Sequence, residues 1–136
     1  MSVVYVGARP EAITQKPEDG GWDDIKTRRV RLPAKPTDID SSDGALIIAI
    51  TADFCGHCTE LKPLFDELAS AFPPGALAFA RSEDHPGAVL DNYGVRGFPH
   101  VVAFVNGTQI KFQGARTAEK LRAFAERFLE PVQERA

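Results

Sequence analysis

Leu46-Ile47-Ile48-Ala49-Ile50-Thr51-Ala52-Asp53-Phe54-Cys55-Gly56-His57-Cys58 runs from a continuous β-prone stretch straight into a cysteine pair. An unbroken apolar run of this length is expected of a central strand covered on both faces. The two cysteines are the only ones in the chain, and they are followed by a helical pattern. One helical turn brings residues i and i+3 onto the same side, at a Cα separation of about 5 Å. A disulfide needs roughly 4.4–6.8 Å, so such a pair closes and opens with little backbone movement. The stretch therefore predicts a strand, a tight junction and a helix whose first turn carries a reversible dithiol.

Downstream, Leu61, Leu64, Phe65, Leu68 and Phe72 recur at spacings of three and four and mark the buried face of that helix, which is expected to reach Phe72. Pro63 lies inside it and predicts a kink, because it removes a backbone donor and crowds the preceding turn. Pro73-Pro74-Gly75 ends the helix. Leu77 to Arg81 reads as the next strand, and Ala88 to Tyr93 as a short helix with Pro86 near its first turn. Val101 to Val105 and Thr108 to Phe112 flank Asn106-Gly107, a hairpin signal because a type I′ turn needs positive φ at both central residues. Thr117 is the expected N-cap of a last helix with a stripe of Leu121, Phe124, Ala125, Phe128 and Leu129. The order strand, helix, strand, helix, hairpin, helix gives an α/β fold, a mixed central sheet with helices on both faces.

The residues before Ala45 read differently. Positions 8–44 hold Pro10, Pro17, Gly20, Gly21, Pro33 and Pro36 among many charges, a composition of loops and short elements. Thr27 to Leu32 is expected as an edge strand and Val3 to Val6 as another or as a docking segment. Trp22 reads as a core or docking residue. With 136 residues the chain is one domain by prior. Its net charge of −3 argues against a nucleic-acid footprint. No apolar run approaches the ~20 residues of a membrane span. The N-terminus lacks the basic and apolar regions of a secretory signal, and Gln133-Glu134-Arg135-Ala136 is no retention tetrapeptide. These points leave localisation open, with the cytoplasm as default.

Several spaced motifs carry a family resemblance over roughly residues 44–130. They are Asp43-Gly44-Ala45 before the strand, Cys55-Gly56-His57-Cys58, Pro63, Tyr93-Gly94-Val95-Arg96-Gly97-Phe98-Pro99, the Asn106-Gly107 hairpin and Gly114 before the last helix. In this order they resemble the thioredoxin superfamily, and its protein disulfide isomerase branch in particular. The resemblance implies a thioredoxin fold over 37–136, with 1–36 as an irregular N-terminal extension. It also implies that the Phe98–Pro99 bond is cis and faces the dithiol.

The resemblance assigns the catalytic set to Cys55, Gly56, His57 and Cys58. Cys55 sits at a helix N-terminus, where free amides and the macrodipole favour an anion and thiol pKa values fall to roughly 3.5–7.5, which makes it the attacking thiolate. Cys58, one turn further in, resolves the mixed disulfide. Related reductases carry proline where isomerases carry histidine. His57 therefore implies a stabilised thiolate, a more oxidising couple and chemistry that suits an oxidising compartment. The reference potentials of the two classes differ by about 90 mV, roughly 4 kcal/mol. Phe54, Phe98 and Pro99 are the expected substrate-binding surface.

Three departures bear on rate. Phe54 stands where the family usually has tryptophan. Ala49 stands where it has a buried carboxylate, and Phe79 aligns with that carboxylate's usual lysine partner. An apolar pair in place of the ion pair predicts slow deprotonation of Cys58. Asp53 and Glu60 are near enough in sequence to substitute, though both oppose a thiolate on Cys55.

Other readings carry less. Cys55, Cys58, His57, His85 and His100 supply enough ligands for a zinc site but lack a second pair at ligand spacing, so no metal is expected. Asn106-Gly107-Thr108 matches a glycosylation sequon that its turn chemistry explains. The sequence thus predicts a thiol–disulfide oxidoreductase of oxidase or isomerase type. Its substrates are protein thiols and disulfides, and it needs no cofactor beyond the Cys55–Cys58 disulfide. The alternative is a thioredoxin-fold binding or structural component with a vestigial or clasp-like dithiol, assembled with a partner through residues 1–36.

Overall fold

The computed structural model describes residues 27–40 and 44–132. The strand expected at Val3 to Val6, Trp22 and Asp43 lie outside the described residues.

Among the described residues, five strands and three α-helices follow one another as β1 (Arg28–Arg29), β2 (Leu46–Thr51), α1 (Gly56–Ala69), β3 (Leu77–Arg81), α2 (Gly87–Asn92), β4 (His100–Val105), β5 (Thr108–Lys111) and α3 (Ala118–Glu126). The sheet order is β1-β3-β2-β4-β5. β3 runs parallel to both β1 and β2, whereas β4 is antiparallel to β2 and to β5. The α/β reading and the mixed sheet are as the sequence predicts.

The β-prone run becomes the central strand because both of its faces are covered. Ile47 and Ala49 join Leu61, Phe65 and Leu68 of α1 and Leu121, Phe124 and Ala125 of α3. Ile48 and Ile50 face the other way, with Tyr93, Val102 and Phe104 and with Val89 and Leu90 of α2. Fully burying one such aliphatic or aromatic side chain is worth about 2 kcal/mol, so the sheet and its two layers stand or fall together.

Two helices end earlier than their apolar spacing predicts. Past Ala69 the amides of Ser70, Ala71 and Phe72 donate to carbonyls three residues back. That tighter turning still delivers Phe72 into the core, which is why its spacing looked helical. Beyond the end of α3 the amides of Arg127 and Phe128 likewise donate three residues back, and Phe128 and Leu129 pack against the same core. α1 itself continues through Pro63, which is exposed. At the hairpin, Asn106 and Gly107 have φ of 50° and 82°, the pair of positive values a type I′ turn requires.

β1 is only two residues long, within the Thr27 to Leu32 stretch expected as an edge strand. The chain after it is held by side chains. The Leu32 amide donates to His85 Nε2 at 2.8 Å, and Tyr93 Oη donates to the Pro33 carbonyl at 2.5 Å. Asn92 Nδ2 donates to the Ala34 carbonyl at 2.8 Å. Since an amide can only donate, His85 Nε2 is the acceptor, and its Nδ1–H donates to the Arg81 carbonyl at 2.7 Å.

Candidate active site

Residues 52–55 make the turn between β2 and α1, closed by the Cys55 amide donating to the Ala52 carbonyl at 3.2 Å. Cys55 is the N-cap of α1, with extended backbone at φ −96° and ψ 110°. Its Sγ takes the place of a capping oxygen and accepts the Cys58 amide at 3.0 Å. An acceptor fixed there gains from both the free amides of the first turn and the helix dipole, more so as a thiolate.

Both thiols are free, Cys55 half-exposed and Cys58 only 1% exposed. Burial, together with the hydrogen bond to Cys55, pushes the Cys58 thiol up to about 12. At neutral pH a thiol of that pKa is ionised in on the order of one molecule in 10⁵. Ala49 and Phe79 are direct neighbours in the β2–β3 register and both are completely buried, within the layer that holds Leu61 and Phe65 of α1. The ion pair expected of the family is replaced here by apolar packing.

Neither nearby carboxylate fills the gap. Asp53 Oδ2 lies 3.0 Å from Arg81 Nη2, and the Asp53 amide donates to Glu83 Oε2 at 2.8 Å. Burial works against the Arg81 charge, but the hydrogen bond and charge of Asp53 outweigh it and raise the guanidinium's pKa. Glu60 faces His57, with Oε1 3.2 Å from Nδ1. His57 is 70% exposed, so its imidazole points into solvent and towards an acid. Gly56 opens the helix on the same exposed side.

The expected substrate-binding residues are brought together around the motif turn. Phe54 is 80% exposed, an unusual setting for so large an apolar side chain. Its ring meets Phe98 edge-to-face, centroids 6.2 Å apart and planes at 84°. The Phe98–Pro99 peptide bond is cis, and Pro99 is buried. β4 begins at His100, paired with Ile50 of β2; one further step of that register sets Pro99 level with Thr51. His100 is therefore on the face that carries α2, opposite α1, and is 3% exposed with no partner for Nε2 among the described residues. Burial and the charge of Lys111 push it down to about 4. Among the described residues, no three His, Cys, Asp or Glu side chains are grouped to hold a metal ion.

One residue that sequence reasoning missed acts here. The Arg116 charge draws the Cys58 pKa downward, against burial and against Cys55. Arg116 follows Gly114 in the loop before α3, far along the chain from the cysteines, and nothing local marks it.

Comparison with known proteins agrees with this geometry. The thioredoxin family profile matches residues 35–127. A protein disulfide-isomerase like 2-2 of Arabidopsis thaliana is 38% identical over 86 residues, covering 62% of this chain and 19% of that protein. A 5′-adenylylsulfate reductase-like 3 of Oryza sativa is 32% identical over 85 residues, 62% of this chain and 27% of that protein. The chain thus spans about a quarter or less of these relatives' length. Among solved structures, a mutant thioredoxin from Halobacterium salinarum is similar at a TM-score of 0.60 and 28% identity, over 79% of this chain and 95% of the other. With a family match over most of its length and the dithiol at the matching strand–helix junction, the chain belongs to the thioredoxin family.

Proposed function

We propose that this chain is a thiol–disulfide oxidoreductase of oxidase or isomerase type, acting on protein disulfides through Cys55 and Cys58. The observation that carries this is the capped sulfur: Cys55 Sγ, half-exposed, accepts the Cys58 amide at 3.0 Å while Cys58 is buried behind it. On this reading the exposed thiol attacks and the buried one resolves.

In the reductive direction the Cys55 thiolate attacks one sulfur of a substrate disulfide. A Cys55–substrate disulfide forms, and the other substrate sulfur leaves as thiolate and takes a proton. Cys58 then loses its proton and attacks Cys55 Sγ, releasing the second substrate thiolate and closing the Cys55–Cys58 disulfide. Two electrons pass from the protein to the substrate. Oxidation of a substrate dithiol is the same sequence reversed. Phe54 and Phe98 offer an apolar edge beside the reacting sulfur for a substrate's extended segment. His57, two residues from Cys55, stands where related isomerases carry histidine, and its imidazole faces Glu60. Relatives named as disulfide isomerases support the reading.

The test is insulin reduction and refolding of a scrambled disulfide substrate, with Cys55→Ser as control. Activity lost in the variant upholds the proposal; equal activity in both refutes it. The equilibrium potential against glutathione assigns direction, with about −180 mV expected and about −270 mV indicating a reductase instead.

A further inference from the structure

A cavity of about 390 Å³ opens at the cis Phe98–Pro99 bond, lined among others by Phe98, Pro99, His100, Lys111, Gln113 and Arg116. Two observations tie it to the reacting sulfurs. Phe98 is the ring that Phe54 meets, one residue from Cys55, and Arg116 is close enough for its charge to act on Cys58. The charge of this cavity is one-sided: Lys111 and Arg116 line it, and no Asp or Glu does. Among the described residues neither cation has an ion-pair partner, although the chain as a whole is acidic at −3. Arg81, by contrast, is committed to Asp53 and Asp84. His100 adds a ring that stays neutral at physiological pH and so brings no competing charge.

Resting on the exchange reading above, we propose that this cavity is a specificity subsite for a carboxylate side chain next to the reacting cysteine of a peptide disulfide. The apolar edge of Phe54 and Phe98 takes the substrate's extended segment, and the cationic cavity receives an acidic neighbour of its cysteine. Such a pairing acts at the encounter and in the mixed disulfide, where the substrate is already held at Cys55. It is also screened by salt, because Lys111 is exposed.

Three terminally capped, self-quenched peptide disulfides that differ only by Glu, Gln or Lys beside the cysteine provide the probe, with kcat/KM as the readout. The expected order is Glu over Gln over Lys, with a Glu-to-Lys ratio of roughly three- to tenfold at low salt that shrinks on adding sodium chloride. Lys111→Glu should invert the order, and because each ratio is taken on one protein, a loss of folded fraction cannot imitate the inversion. Should Lys111→Glu not fold, the wild-type order and its salt dependence still decide. Equal rates for the three peptides, or a ratio untouched by both Lys111→Glu and salt, overturn the subsite while leaving a Cys55-dependent activity in place. Glutathione disulfide forms the second arm: a Lys111-dependent rate there, with none among the peptides, assigns the cavity to a small-molecule thiol and overturns the peptide assignment. If Cys55→Ser exchanges every probe as fast as wild type, the exchange reading itself has failed.

Discussion

The ground in front of Cys55 and the ground behind Cys58 are built on opposite terms. In front, a half-exposed sulfur caps a helix, flanked by an exposed phenyl ring and an imidazole in solvent beside Glu60. Behind, the second thiol is 1% exposed, and the core layer under α1 holds a completely buried Ala49–Phe79 pair. The Cys58 amide is hydrogen-bonded to Cys55 Sγ, yet the first sulfur meets a helix terminus and water and the second is shut away from solvent. In the exchange proposed above, the first thiol would be ready to attack, whereas the second must first give up a proton that burial makes costly to lose.

The difference can be broken outright by removing the second thiol. Cys58→Ser should lower turnover at least about a thousandfold, since the resolving attack loses its intramolecular advantage, and the mixed disulfide should accumulate and be visible on non-reducing gels. Making the rear polar is the next largest change. Ala49→Asp should cost about 3 kcal/mol in chemical denaturation, as expected for an unpaired buried carboxylate. It should also speed release of a trapped mixed disulfide by about tenfold in stopped-flow, because the carboxylate would supply a base.

A pH titration asks whether burial governs the groups behind the site in general. His100 is held down to about 4 by burial and by Lys111, whereas an exposed imidazole titrates near 6.5. Below that value the unfolded chain takes up a proton that the folded chain refuses. Stability is therefore full above pH 6.5 and falls as the pH drops towards 4, by up to about 3 kcal/mol. His100→Gln should flatten that slope in thermal melts. A smaller effect is expected from Arg116→Gln, which removes a charge that favours the Cys58 thiolate and should slow release about three- to fivefold at pH 7. The smallest concerns the front. Glu60→Gln frees His57 to act on Cys55 and should shift the glutathione equilibrium towards the dithiol by no more than about twofold, because both side chains are exposed.

Much of this contrast was legible along the chain. The run from Leu46 to Cys58 fixed the strand, the junction and the helix, because burial on both faces and the cysteine spacing are local properties. Ala49 and Phe79 were also readable as a missing ion pair, since each stands at a recognisable distance from a motif. The helix ends were not, because Phe72 and Phe128 keep a helical spacing while the backbone around them winds more tightly. Arg116, Lys111 and the Arg81–Asp53 pair escaped for a different reason. They are gathered by the sheet order, which sets β3 beside β2 and β5 beyond β4, and no local pattern records those neighbourhoods. His100, counted with the cysteines as a candidate ligand, is turned to the α2 face by its pairing with Ile50, a placement set by register and not by any local pattern.

The stitching of residues 31–34 has a consequence for where this fold begins. The family match starts at residue 35, yet Leu32 is 4% exposed and fills the α2 side of the core, and β1 occupies the outer edge of β3. A chain cut at the family boundary would leave His85 Nε2 and Tyr93 Oη without the backbone partners they now have, and would bare a parallel strand edge. An unprotected edge of that kind invites another chain to pair with it. The residues just ahead of the family boundary thus act as a selvedge, finishing the edge of β3 and keeping it from joining the next sheet.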